Sequence, residues 1–462
     1  MTQFYEIFIK VIFLFLILLF TLSSLDELFF LLNFVVFKVY KFFKFDKQHK
    51  VLNVSDLTHE DQKPIAVMVA CWDESNVIRE TLRRAVGSIK YNNYKVFVGV
   101  YPNDKETIAE VKKAAEESNK IEVVMIDHDG PTTKSDNVNT IWRHVMNYEK
   151  THKMQFEIFV IHDAEDNVPV YELSIFNHLI PRKDVVQLPV LPIKTPWYSI
   201  VSGTYMDEFA SMHLMQLRVR EWMSGLIPTA GVGCGFSREF MVTASKKNAE
   251  AGPLAYNTLT EDYELPLLNQ KKADKEAFYD SIVEKVSYDQ TKVTKYLPAV
   301  RSYFPKTLRR AIIQKSRWIL GISLQGADHI GWKGDLATKY MLFRDRKGVV
   351  TNIVTLMSLI LIIILALDLT VRGNVEYLDI FSQHPSLRFL ITLNVISMIV
   401  LIFTRIAATT YYYGIFHGLM SFPRIFVGNI VNGLATLRAI RIYYLSRKTG
   451  ESPKWEKTQH EV

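Results

Sequence analysis

Phe159-Val160-Ile161-His162-Asp163-Ala164-Glu165-Asp166 is the stretch that decides the fold, because an apolar run passes directly into three carboxylates. The run reads as a short buried strand, so the acids sit at its C-terminal end, where open α/β sheets bind ligands. Carboxylates packed this closely repel one another, and a hard divalent cation carrying phosphates is the usual relief. Working outward, residues 65–70, 94–100 and 121–126 read as further strands, with helices at 76–88 and 107–118. This βαβ alternation predicts a mostly parallel, nucleotide-binding sheet. Two motifs follow in order. Thr260-Glu261-Asp262 carries an Asp that can act as a base, and Gln314-Lys315-Ser316-Arg317-Trp318 places Gln, Arg and Trp on one helical face.

The chain is 48% hydrophobic and 12% aromatic, rich for a soluble protein of 462 residues, so a membrane portion is expected. Its charge of +7 reflects 55 Lys and Arg against 48 Asp and Glu, with much of the excess beside apolar stretches. That distribution favours the cytoplasmic face of a membrane over nucleic acid. Cys71 and Cys234 are too few for a disulfide framework or a zinc site and read as small buried hydrophobes.

Residues 8–25 are long and apolar enough to span a bilayer, and no small-residue cleavage site follows, so they read as an anchor. Asp26 and Glu27 interrupt the run. Residues 29–45 then carry Asn33, Lys38, Lys41 and Lys44 at helical spacing, which predicts an amphipathic interfacial helix, with a second crossing as the alternative. Two further apolar runs, 349–371 and 389–403, are flanked by Arg344, Arg346, Lys347 and Arg405, so the positive-inside rule puts both outer ends in the cytoplasm. Residues 407–444 read as interfacial or re-entrant helices before a basic tail with Arg447, Lys448, Lys454 and Lys457. The expected organisation is an anchor and amphipathic helix over 1–50, an α/β domain over 58–275, interfacial helices over 276–348, two transmembrane helices over 349–404, and interfacial or re-entrant helices with a cytoplasmic tail over 405–462.

The ordered series of a DxD-like acid cluster, TED and QxxRW resembles the membrane-integrated, processive glycosyltransferases of family 2, which include the cellulose, chitin and hyaluronan synthases. Val98-Gly99-Val100-Tyr101-Pro102-Asn103-Asp104, Ile161 to Asp166, Gly231-Val232-Gly233 and Arg344-Asp345-Arg346-Lys347-Gly348 resemble more closely the NfrB family, the inner-membrane phage-adsorption protein B. The resemblance implies an α/β GT-A-like nucleotide-sugar transferase domain joined to transmembrane and interfacial helices. It also implies a bacterial inner-membrane location with the catalytic domain cytoplasmic. The sequence itself shows no separate cyclic di-GMP domain, so any such control is expected to come from a partner.

On this basis residues take expected roles. Asp163 and either Glu165 or Asp166 would ligate Mg2+ or Mn2+, whose remaining ligands are diphosphate oxygens and water. Trp72 and Glu74 would face the nucleoside, with a helix cap by Asp73 or Ser75 as the alternative reading. Asn103 and Asp104 stand where family members carry an acidic pair. Lys134, in the loop Gly130-Pro131-Thr132-Thr133-Lys134, would meet the diphosphate. Gln314 and Arg317 would bind the nucleotide, and Trp318, Gly233 and Glu261 the acceptor. Asp262 would be the general base, whose single attack opposite the leaving group inverts the anomeric centre. The implied activity extends a polysaccharide from a UDP-sugar, an N-acetylhexosamine being the sugar the family suggests. The implied partners are the UDP-sugar, the growing polysaccharide, membrane lipid and a periplasmic or outer-membrane export protein, with no nucleic acid. A single-sugar transferase to a lipid carrier and a non-catalytic membrane receptor or scaffold are the competing classes.

Overall fold

The computed structural model describes residues 2–44, 52–180, 182–249, 251–256, 258–269, 276–279, 283–286, 293–373, 375–450 and 453. Lys454 and Lys457 of the basic tail lie outside them. The strands that build the site are β1 (Ile65–Ala70), β2 (Tyr94–Val100), β3 (Ile121–Met125), β4 (Ile158–Asp163), β5 (Val185–Gln187), β6 (Val190–Pro192), β7 (Cys234–Ser237) and β8 (Glu276–Phe278). Seven form one sheet in the order β3-β2-β1-β4-β7-β5-β8. The β3-β2-β1-β4 half is parallel, as the alternation of strands and helices requires, and β7 runs antiparallel to both β4 and β5. Helices Ile78–Ser88 and Lys105–Glu117 begin within two residues of expectation.

The strands are nearly all apolar because both sheet faces are covered. One face packs Val67, Val69, Val98, Val160 and Phe176, and the other packs Met68, Phe97, Trp142, Phe159 and Phe236. Cys71 and Cys234 are buried within these layers and are not disulfide-bonded. In the register, Ala70 of β1 stands beside Asp163 of β4, so the two strand ends open at the same level.

Among the described residues, four helices are long and apolar enough to cross a membrane: Gln3–Phe43, Leu336–Val371, Pro385–Tyr413 and Ile415–Thr449. The first corrects an expectation. Helix Thr2–Lys44 is continuous over 43 residues, without a break at Asp26 and Glu27. Those acids are matched by the start of helix Leu336–Arg372: Tyr340 donates to Asp26 at 2.7 Å, Arg344 to Asp26 and to Glu27 at 2.9 Å, and Lys347 to Asp26 and to Glu27 at 2.7 Å. Paired carboxylates have no reason to bend a helix out of an apolar setting.

The segment expected to hold several interfacial or re-entrant helices is instead the end of Pro385–Tyr413 and one continuous helix, Ile415–Thr449, with Pro423 inside it. Its inner face packs against helices Val201–Ser211 and Leu308–Ile319, where the fully buried Arg424 pairs with Asp207 at 2.9 Å. Its other face exposes Phe416, Leu419, Phe422, Phe426 and Ile430, spaced as one helical stripe.

Candidate active site

A cleft of about 450 Å3 opens at the C-terminal ends of β1 and β4 and runs beneath helix Leu308–Ile319. Its walls include Trp72, Glu74, Lys134, Asp163, Glu165, Glu261, Asp262, Gln314, Arg317 and Trp318. Residues from five separate stretches of sequence are therefore brought to one place.

Lys134 is the organising cation. It is the first residue of helix Lys134–His152, which Thr133 caps by accepting from the Asp136 amide at 3.2 Å. Its ammonium donates to Asp163 Oδ1 at 2.5 Å and to the Gly231 carbonyl at 3.0 Å. Gly231 has φ +73°, and a Cβ there would lie 2.6 Å from Asp262 Oδ2 and 3.3 Å from Lys134 Nζ. Only glycine supplies both that backbone conformation and that space. Lys134, Asp163 and Asp262 thus converge around one backbone turn. Burial acts to lower the Lys134 pKa, but Asp163, Glu261 and Asp262 outweigh it and hold the amine charged above its usual range.

Glu261 and Asp262 open helix Glu261–Asn269. Burial and the neighbouring Asp262 push Glu261 up to about 7 against the opposing charge of Lys134. Burial also raises Asp262, again opposed by Lys134. The TED segment meets the π-helical turn Leu320–Gln325 that continues the QxxRW helix Leu308–Ile319, where a Cβ on Gly321 would fall 2.4 Å from Thr260 Oγ1. In that helix Gln314 is 5% exposed, and its Oε1 has no hydrogen-bond partner among the described residues. Lys315 donates to Glu208 at 2.6 and 2.7 Å. Trp318 meets Tyr205 edge-on at 6.0 Å and also flanks Phe209 and Phe304.

Four expected site residues are not on the cavity wall. Asp166 is 3% exposed and accepts from Ser302 Oγ at 2.6 Å and from the Asp163 amide at 2.9 Å, which leaves Glu165 as the acid beside Asp163 that lines the cleft. Asn103 clamps the Gly130 backbone, accepting from its amide at 2.9 Å and donating to its carbonyl at 2.7 Å. Asp104 caps helix Lys105–Glu117 and accepts from the Asp73 amide at 2.6 Å. Gly233 sits under Val300, and its carbonyl accepts from Gln187 at 3.2 Å. The alternative cap is not realised either, since helix Ile78–Ser88 starts after Val77 with no side-chain cap.

The site also holds residues that motif reading passed over. Tyr101 meets Trp72 edge-on at 5.5 Å on the cleft wall, and its hydroxyl pairs with Thr132 Oγ1 at 2.6 Å. His162, behind Asp163, lies 2.8 Å from Glu172 and 3.4 Å from Asp166, wholly enclosed. Burial would lower its pKa, but the two carboxylates raise it to about 10, so a charged imidazolium ties down the strand end. A signal for it existed in the sequence, because a His between a buried strand and a row of acids needs counter-charges.

Among the described residues no three His, Cys, Asp or Glu side chains gather into a cage for a metal ion. Asp163 and Glu165 nevertheless both line the cleft, and the Asp163 side chain is 48% exposed with Oδ1 taken by Lys134. Two hard oxygen donors beside room for a diphosphate fit Mg2+ or Mn2+, which characteristically complete their shells with phosphate and water.

A half-parallel α/β sheet with acids at the β4 end, buried carboxylates in the cleft and a QxxRW helix is the arrangement of a GT-A-like glycosyltransferase. Residues 62–321 match the family model described as glycosyltransferase like family 2, and the chain belongs to that family. It is 35% identical over 426 residues to bacteriophage adsorption protein B of Escherichia coli strain K12 and equally to bacteriophage N4 adsorption protein B of Escherichia coli O157:H7. These alignments cover 90% of this chain and 57% of each relative, so the chain spans little more than half the length of the curated relatives it matches. Among solved structures, the mannosyltransferase PcManGT from Pyrobaculum calidifontis, in complex with GDP-Man and Mn2+, superposes with a TM-score of 0.50 at 14% identity, covering 85% of this chain and 98% of that one. At that identity the likeness is one of fold.

Proposed function

We propose that this protein is a processive, inverting glycosyltransferase of the bacterial inner membrane that polymerises a UDP-sugar into an exported polysaccharide. The observation that carries the reading is the convergence of Lys134, Asp163 and Asp262 at Gly231, in a cleft roofed by Gln314, Arg317 and Trp318. Trp72 and Tyr101 offer faces to the base, and Lys134 and Arg317 offer charge to the diphosphate. Asp262, raised by burial, takes the proton of an acceptor hydroxyl as that oxygen attacks the anomeric carbon. Asp163 and Glu165 would hold the cation, which when bound stabilises the departing diphosphate. The nucleotide in the GDP-Man complex belongs to that mannosyltransferase. UDP rather than GDP rests on the resemblance to polysaccharide synthases, and so does an N-acetylhexosamine as the sugar. The deciding experiment incubates purified protein with a panel of UDP-sugars and magnesium or manganese, measuring UDP release and product size. Absence of turnover with every sugar would favour the receptor or scaffold class.

Processivity gives a sharper test. Trp318 is held edge-on by Tyr205 and flanked by two phenyl rings, so its position is set before an acceptor arrives. Stacking of this kind contributes about 0.5–1.5 kcal/mol beyond area burial. Trp318→Ala is expected to shorten the product and slow elongation more than it slows hydrolysis of the UDP-sugar by water. A wild-type product of one sugar, or full-length polymer from the variant at the normal rate, would move the lipid-carrier transferase ahead.

The proposed topology places the turn near Glu376 outside and the end of helix Ile415–Thr449 in the cytoplasm. The helix end supports this, since Tyr443 donates to Asp328 at 2.7 Å, on the short helix that follows the QxxRW segment. A cysteine at Glu376 should react with an impermeant thiol reagent in intact cells, whereas one at Lys448 should not. The buried Cys71 and Cys234 give little background. The reverse labelling pattern would overturn the orientation.

A further inference from the structure

The helix running from Val201 to Ser224 widens into π turns over Met212–Gln216. Such widening is found mostly as single turns within α-helices, often at functional sites. Here Met212 and His213 of this segment line the cleft, with Leu217, Pro228 and Thr229 beside them. His213 is 0% exposed and lies between Phe209 and Phe278, with ring centroids at 5.8 and 5.7 Å. Both of its ring nitrogens lack a hydrogen-bond partner among the described residues. Burial pushes its pKa down to about 3, so the ring is neutral, one nitrogen a donor and the other an acceptor. A buried polar group left unmatched is destabilising, and packing between two phenyl rings makes no use of an imidazole's polarity. Phe209, which packs against His213, also meets Trp318 at 6.0 Å. His213 therefore stands one ring beyond the indole proposed to stack on the acceptor.

We propose that His213 is a specificity-determining residue that hydrogen-bonds a hydroxyl of the acceptor glycan, on the sugar behind the one that reacts. This rests on the glycosyltransferase reading above and names the chemistry of its acceptor side. A sugar hydroxyl both donates and accepts, as a neutral imidazole does, whereas the hydrocarbon of a lipid carrier does neither. The apolar neighbours Phe209, Met212 and Leu217 suit the C–H face of a pyranose lying against them.

The test uses the purified full chain, the UDP-sugar that supports turnover, and short hexose and N-acetylhexosamine oligosaccharides as acceptors. His213→Phe keeps the aromatic sandwich and removes the polar atoms. It is expected to raise the acceptor KM about tenfold, the effect of losing one hydrogen bond to a group that stays desolvated. UDP affinity and hydrolysis of the UDP-sugar by water should stay at wild-type levels, and the melting temperature should not fall. His213→Gln, which restores an amide, should recover part of the acceptor affinity. Where the phenyl ring does not fit and the variant fails to fold, His213→Leu against His213→Gln makes the same comparison. An unchanged acceptor KM in the apolar variant, or a loss matched by an equal loss of UDP-sugar hydrolysis, overturns the role. Wild-type protein that turns over no UDP-sugar defeats the proposed function and this inference together. Normal wild-type turnover with indifferent variants defeats this inference alone.

Discussion

Asp262→Asn is expected to lower transfer by about 10²- to 10⁴-fold, the range that a positioned general base contributes, while UDP binding stays near wild type. The amide keeps the shape that fits against Gly231, where the Asp262 carboxylate leaves no room for a Cβ, but it cannot take a proton. The pH profile gives a second readout. Burial holds Asp262 above the usual carboxylate range and Glu261 at about 7, and the base works only when deprotonated. Wild-type transfer should therefore begin to fall, on acidification, at a higher pH than an unshifted carboxylate would give, and the residual activity of the variant should lack the part of that fall owed to Asp262. Substantial turnover by Asp262→Asn with a wild-type acid limb would remove this residue from the role of base.

Asp163→Asn should instead strike nucleotide binding. The amide keeps one oxygen but loses the negative charge with which Asp163 would hold a hard cation, so UDP affinity measured with magnesium or manganese is expected to fall towards its metal-free value. Lys134 keeps its hydrogen bond to the Gly231 carbonyl at 3.0 Å, so the turn beside the base has no reason to collapse. Asp166→Asn is the control. Its oxygens hold Ser302 and the Asp163 amide rather than the cleft, so it should lower thermal stability more than it lowers the response of UDP affinity to metal. UDP affinity in metal that is unaffected by Asp163→Asn, measured by calorimetry, would contradict the ligand assignment.

How much of the site was legible depended on how local its causes are. Trp72, Lys134, Asp163 and Asp262 could be picked out because each stands at the end of a strand or the start of a helix whose periodicity is visible over a few residues. Asn103 and Asp104 could not be told apart from ligands on that basis. Their side chains are used up by the Gly130 and Asp73 backbones, some thirty positions away. Glu261, expected on the acceptor side, is set beside Lys134 and Asp262 and feels both charges. His213 carried no motif at all, since its place depends on a change of helical pitch and on Phe278 from a distant strand.

By itself the sequence determined the parallel half of the sheet, the position of the longest apolar runs and the chemical kind of each motif. These follow from alternation, run length and residue type, which act between near neighbours. Only the tertiary structure decided which acid beside Asp163 faces the cleft. Glu165 and Asp166 are adjacent and chemically alike, and the choice falls to Ser302, which captures Asp166 from 136 residues away. It also decided that the first helix runs unbroken past Asp26, because the cations that match this acid lie 318 and 321 residues further on, at Arg344 and Lys347. A hydrogen bond or ion pair costs nothing in sequence pattern to make at long range, yet it changes a carboxylate from an exposed ligand to a buried strut, so its outcome appears only when the chain has folded.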